Sequence, residues 1–219
     1  MNVLVVSPHP DDETLGCGGT MARLKAEKNK IYWLNITDMS ERMGYTKEQI
    51  TKRKKQMEKV AEMYDVSEFK NLELTPTALE QYNDNEMIGR ISEFVQKVQP
   101  EMVFLPDFND AHSDHKKTFE WCFPCTKAFR YPFVKSVFTM EILSETDFGQ
   151  PMNPFLPNVY FDISSYLERK LEIMKVYDTE LGEHPFPRNI GNIKALARLR
   201  GSAAGVEYAE AFRSIKMIY

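Results

Sequence analysis

Apolar runs of strand length alternate with amphipathic stretches of helical length along this chain, and that alternation is the strongest constraint on its fold. Strand-like runs fall at residues 2–7, 31–36, 69–74, 102–105, 135–143 and 159–163. Helical spacing of apolar residues occupies 14–27, 47–64, 83–98 and 166–177, with further helix expected over 116–130, interrupted at Pro124, and over most of 193–212. Strands separated by helices line up in parallel, and the helices cover the sheet. The expectation is an α/β chain with a mostly parallel sheet and helices on both faces, forming a single domain over residues 1–219.

The remaining composition narrows the classes of function. A net charge of -4, with acids and bases interspersed, argues against nucleic acid as a partner. No apolar run approaches membrane-spanning length, so no membrane partner is expected. The first strand begins almost at Met1 and no signal peptide precedes it, which makes a cytoplasmic location the expectation. Three cysteines, Cys17, Cys122 and Cys125, are too few for a disulfide framework. The pattern is compatible with a homo-oligomer as well as a monomer.

Chemistry concentrates in two loops that follow strands. The first reads His9-Pro10-Asp11-Asp12-Glu13 after the run Val3–Val6, and the second Asn109-Asp110-Ala111-His112-Ser113-Asp114-His115 after Met102–Leu105. Together they hold three of the four histidines. Open α/β sheets keep their ligands beyond the carboxyl ends of strands. Ionisable groups crowded at the end of a buried strand are costly unless something binds them. A divalent metal does so, and a catalytic zinc needs three N or O ligands and one open position. Histidine and aspartate from the first loop plus histidine from the second meet that count.

With these motifs in view, the sequence resembles the PIG-L/LmbE-like family of zinc-dependent N-acetylglucosaminyl deacetylases. The resemblance extends to Gly16-Cys17-Gly18-Gly19 and to Arg200-Gly201 with Tyr208-Ala209-Glu210-Ala211-Phe212. It implies a Rossmann-like fold, Zn2+ as cofactor, and hydrolysis of an N-acetyl group from a small-molecule amino sugar or its conjugate. It makes His9, Asp12 and His115 the zinc ligands, Asp11 the general base, His112 the oxyanion donor and Asp114 the residue that orients His112. Arg53 matches a substrate-contacting arginine, although Gln56 stands where an acid is usual. Tyr177-Asp178-Thr179-Glu180 replaces the usual Ser-Gln. Alternatives are an amidase for another acyl amide and a noncatalytic sugar-binding module on the same fold.

The residue chemistry agrees. Zinc lowers the pKa of its water and polarises an amide carbonyl. A carboxylate beside the metal can take the water's proton and pass it to the leaving amine. Asp114 is expected to keep His112 protonated, because a neighbouring negative charge raises a histidine's pKa. Arg188, in a Pro-rich loop, is a candidate substrate contact. Selectivity is expected from residues 37–45, 144–158 and 183–189. The Trp121-Cys122-Phe123-Pro124-Cys125 segment mimics a redox motif, but it lies within helical sequence and not at a strand-to-helix turn. Gly16, Gly18 and Gly19 fail the dinucleotide fingerprint and are expected to permit close packing. Glu13 is expected to brace its loop.

Overall fold

The computed structural model describes all residues, 1–219. In chain order the strands are β1 (Asn2–Ser7), β2 (Lys30–Thr37), β3 (Glu68–Leu74), β4 (Met102–Pro106), β5 (Ser136–Met140), β6 (Val159–Asp162) and β7 (Ala209–Met217). The helices are α1 (Asp12–Ala26), α2 (Lys47–Met63), α3 (Asp84–Val98), α4 (Ser113–Cys122), α5 (Leu167–Met174) and α6 (Ile190–Ala204). The seven strands form one sheet in the order β3-β2-β1-β4-β5-β7-β6. β1 to β5 run parallel, and β7 pairs antiparallel with both β5 and β6.

Each strand divides its side chains between two cores, as the two-residue period of a strand requires. Val3 and Val5 join Trp33, Phe104, Phe138 and Phe212 against α1, α2, α5 and α6. Leu4 and Val6 join Leu34, Ile36, Val103 and Leu105 against α3 and α4. The sheet is thus covered on both faces, as expected for a Rossmann-like arrangement. Helix ends follow local chemistry. The Thr46 side chain and Gln49 form a reciprocal capping box on α2, and Asn83 caps α3.

Two expectations need correction. The helix expected over 116–130 is α4 at Ser113–Cys122, with a short tight turn at Phe123–Thr126 in place of a long kinked helix. The helix expected over 193–212 stops at Ala204, where Gly205 takes a left-handed conformation, and the chain returns as β7. The alanines and glutamate of 209–211 favour helix locally. Antiparallel pairing of Ala209, Glu210 and Ala211 with β6 overrides that preference, and β5 takes up the pairing from Phe212 onward.

Close packing of α1 against the end of α2 and the segment after β6 depends on Gly18 and Gly19. A Cβ on Gly19 would meet three atoms of buried Ile163 at 2.7–2.8 Å, and one on Gly18 would meet Tyr64 Oη at 2.5 Å.

Candidate active site

β1 and β4 are adjacent and parallel, but the chain leaves β1 toward β2 and leaves β4 toward β5. Such a reversal opens a crevice at the carboxyl ends of the two strands. The loops after β1 and β4 meet there, with the His9 and His112 rings 4.6 Å apart and those of His9 and His115 5.3 Å apart.

The first loop is held under backbone strain. α1 begins at Asp12, two residues before the sequence pattern suggests, and Asp11 precedes it with φ 133° and ψ -27°. A non-glycine residue there costs on the order of 1–3 kcal/mol and persists only where its surroundings dictate it. They do so here. Glu13 accepts the Asp11 amide at 3.1 Å, Arg53 Nη1 donates to the Pro10 carbonyl at 3.0 Å, and the Asp11 carbonyl accepts the Leu15 amide at 2.8 Å. Glu13 is itself buried and accepts from Thr14 and Tyr177 hydroxyls, so it braces the loop as expected.

The turn aims Asp12 at two histidines. His9 Nδ1 and His115 Nε2 lie 3.3 and 3.2 Å from the same Asp12 Oδ2. Metal–ligand bonds of about 2.0–2.2 Å at tetrahedral angles place neighbouring donors about 3.3–3.6 Å apart. His115 Nε2 is buried and makes no well-directed hydrogen bond. An orphaned imidazole nitrogen beside a carboxylate and a second imidazole fits a divalent ion as the missing partner. The same three residues supply donor atoms that all lie within 4.8 Å of one another.

Asp110 completes this constellation and was not singled out from sequence. Its Oδ2 lies 2.8 Å from His115 Nδ1, and both side chains are fully buried. A carboxylate on the far nitrogen of a ligating histidine sets its tautomer and orientation. The signal in the sequence was an aspartate five residues before a candidate ligand, but only the folded loop turns the two toward each other.

Electrostatics around the crevice are strong. Burial opposes charge on His9, yet Asp114 and Asp12 outweigh it and hold its pKa up at about 9. Burial likewise disfavours the Asp12 carboxylate, but His115 and His9 hold its carboxyl well below the usual range. Burial, reinforced by Asp12 and Glu180, pushes Asp11 well above that range.

The expected protonation of His112 by Asp114 is corrected. Asp114 Oδ2 contacts His9 Nε2 at 3.0 Å and the Thr77 amide at 2.8 Å, and stands 3.9 Å from His112 Nδ1. Burial and the neighbouring His9 push His112 down to about 4. Its Nδ1 accepts the Asp114 amide at 3.1 Å as the cap of α4. A neutral ring accepting at Nδ1 carries its hydrogen on Nε2.

Beside these residues lies an open cavity of about 320 Å³. Its wall includes His9, Asp11, Asp12 and His112, with Thr37, Asp38, Met39, Met43 and Tyr45 from the first expected selectivity loop. Glu145 and Arg188 come from the other two expected loops, Glu180 from the segment that replaces the usual Ser-Gln, and Thr77 from a segment not anticipated. Arg53 lines the wall, but its side chain is buried and its nitrogens are engaged by Pro10, Thr179 and Glu180. Gln56, in the place of the usual acid, donates to the Val176 carbonyl and Asp178. Cys122 and Cys125 are buried at the far end of α4, and burial pushes the Cys122 thiol well above its ordinary pKa, the opposite of a redox cysteine.

A model of the family described as GlcNAc-PI de-N-acetylase (PIG-L) matches residues 4–124, more than half of the 219-residue chain. The chain belongs to that family. The match spans both crevice loops. A diacetylchitobiose deacetylase of Thermococcus kodakarensis is 25% identical over 99% of this chain and 84% of its own length. A conserved protein of Thermus thermophilus superposes with a TM-score of 0.78 at 26% identity, over 99% of this chain and 96% of the other. The 4-carboxy-2-hydroxymuconate hydratase of Pseudomonas putida also superposes at 0.78, over 100% and 97% of the chains, but at 17% identity that likeness is one of fold alone. The PIG-L fold therefore carries more than one chemistry, and the crevice residues must argue the reaction.

Proposed function

We propose that this PIG-L family member is a metal-dependent amide hydrolase that removes the N-acetyl group of an amino sugar or its conjugate, with His9, Asp12 and His115 holding zinc. The carrying observation is the convergence of Asp12 with two histidine nitrogens, one of them buried without a hydrogen-bond partner. The family and the deacetylase relative from Thermococcus supply the substrate class. A divalent ion held by His9, Asp12 and His115 would supply Lewis-acid polarisation of the amide carbonyl and would acidify the attacking water.

The chain's own residues supply the proton traffic. Asp11 adjoins Asp12 and lines the cavity, so one carboxylate is left to act as base while the other binds metal. Asp11 takes a proton from the attacking water and returns it to the nitrogen as the C–N bond breaks, which yields acetate and a free amine. His112 Nε2–H donates to the carbonyl oxygen as negative charge gathers on it. A neutral imidazole suffices, so His112 needs no charge from Asp114. Asp114 instead holds His9 in place through its second nitrogen. Glu13 and Arg53 fix the strained turn that separates the aims of Asp11 and Asp12.

The test is acetate release by zinc-loaded protein from a panel of N-acetylated sugars. Release with at least one sugar, lost on chelation and restored by zinc, is the expected result. A zinc-loaded, folded protein that releases no acetate from any of them would overturn the proposal.

A further inference from the structure

The cavity wall contains two guanidiniums, and neither is free. Arg53 Nη2 is paired with Glu180 Oε1. Arg188 Nη2 stands 3.6 Å from the other oxygen, Glu180 Oε2, while its Nε donates to the Glu180 carbonyl at 3.3 Å. Arg188 Nη1 donates to Ser144 Oγ at 3.0 Å and faces Glu145 Oε1 at 3.9 Å. Glu180 thus bridges both arginines with its two carboxylate oxygens.

Charge on the wall points the same way. Asp11, Asp12, Asp38, Glu145 and Glu180 oppose Arg53 and Arg188, and no lysine lines the cavity. Five carboxyl groups thus face two guanidiniums that are already paired. The nearby Lys54 is paired with Glu73, and Lys52 with Asp178. Away from the metal ligands, an anion entering this cavity meets acidic side chains in a partly desolvated space and finds no unpaired arginine or lysine. Sugar hydroxyls and an ammonium group are hydrogen-bond donors, and carboxylates are acceptors only. The wall suits them.

We infer that Glu180, by occupying both arginines, makes this site selective for neutral or cationic N-acetyl sugar conjugates and against anionic ones. The inference rests on the proposed amino-sugar reaction and adds the charge of the substrate to it. Glu180 is here a specificity-determining residue and takes no part in bond breaking.

Three β-glycosides of N-acetylglucosamine that differ little but in charge test this: carbamoylmethyl, aminoethyl and carboxymethyl. With zinc-loaded protein, kcat/KM for the carbamoylmethyl and aminoethyl glycosides should exceed that for the carboxymethyl glycoside by at least about tenfold, a gap that narrows as salt rises. Glu180→Gln takes the shared carboxylate charge away from both arginines and should shrink the gap at least about threefold. Calorimetric binding to zinc-loaded Asp11→Asn should give the same order without requiring turnover. Equal or better use and binding of the carboxymethyl glycoside would overturn the inference while leaving the hydrolase reading intact. Binding in the expected order without turnover by the unsubstituted protein would uphold the inference and overturn the hydrolase reading. Failure of all three to bind would overturn the inference and the amino-sugar reading together.

Discussion

Lys170→Met removes a cation that joins three distant parts of the chain. Lys170 Nζ lies 2.7 Å from Glu210 Oε1 on β7 and 2.7 Å from the Leu15 carbonyl in the first turn of α1. Glu210 also accepts the amides of Gly19 and Thr20, at 2.9 and 2.7 Å, so it binds the middle of the same helix. Both side chains are about 5% exposed. Methionine fills most of the lysine's volume, so little of the effect comes from a cavity. What changes is that the Glu210 carboxylate stays buried with two amides and no countercharge. Removing one partner of a buried pair costs about 3–5 kcal/mol. Against a total stability on the order of 5–15 kcal/mol, that is a large fraction. For a chain of this size it corresponds to a fall in Tm of roughly 6–20 °C. Urea unfolding followed by circular dichroism measures it. Lys170→Met combined with Glu210→Gln should recover at least about 1 kcal/mol of the loss, because the unpaired charge is then gone. A loss below about 1 kcal/mol in the single variant, or a double variant no better than the single one, would refute the reasoning.

Three further outcomes are expected. Asp11→Asn should fold, keep its zinc and lose at least about 10²-fold in kcat, the usual scale of general acid–base help; if it kept zinc and rate, Asp11 would not be the base. Asp110→Asn should weaken zinc affinity roughly 10- to 100-fold, read by competition with a chelator, and unchanged affinity would show that His115 needs no such support. Arg53→Ala should lower kcat about tenfold or more with a smaller change in KM, because its charged hydrogen bond to Pro10 shapes the Asp11 turn. A pure rise in KM would make Arg53 a direct substrate contact.

Much of this protein is legible in its sequence because the governing interactions are local. Val3–Val6, a short apolar run stopped at Ser7-Pro8, reads as a buried strand, and a strand that ends in Ser-Pro-His-Pro-Asp-Asp-Glu hands its polar groups to a strand terminus. Strand–helix alternation implies a covered parallel sheet, and Pro100 follows the end of α3 as a helix-stopping residue should. Both crevice loops, and the three residues proposed as metal ligands, stand out for the same reason: costly groups are packed together in sequence.

Other features were decided only by the tertiary structure. Strand order is one, since nothing local in β1 or β4 says that they are neighbours with the chain leaving in opposite directions, and that reversal is what opens the crevice. Residues 209–217 are another, because helix-forming alanine and glutamate at 209–211 become strand when β6 pairs with them and β5 pairs with the residues that follow. The partner of Asp114 is a third: sequence places it two residues from His112, whereas the fold brings it to His9, 105 residues away. The bridges of Glu180 to Arg53 and of Lys170 to Glu210 span 127 and 40 residues. Helix and strand preference act over a few residues, and a side chain's charge environment is set by whatever the fold packs against it, so the ligand loops could be read in advance and their electrostatics could not.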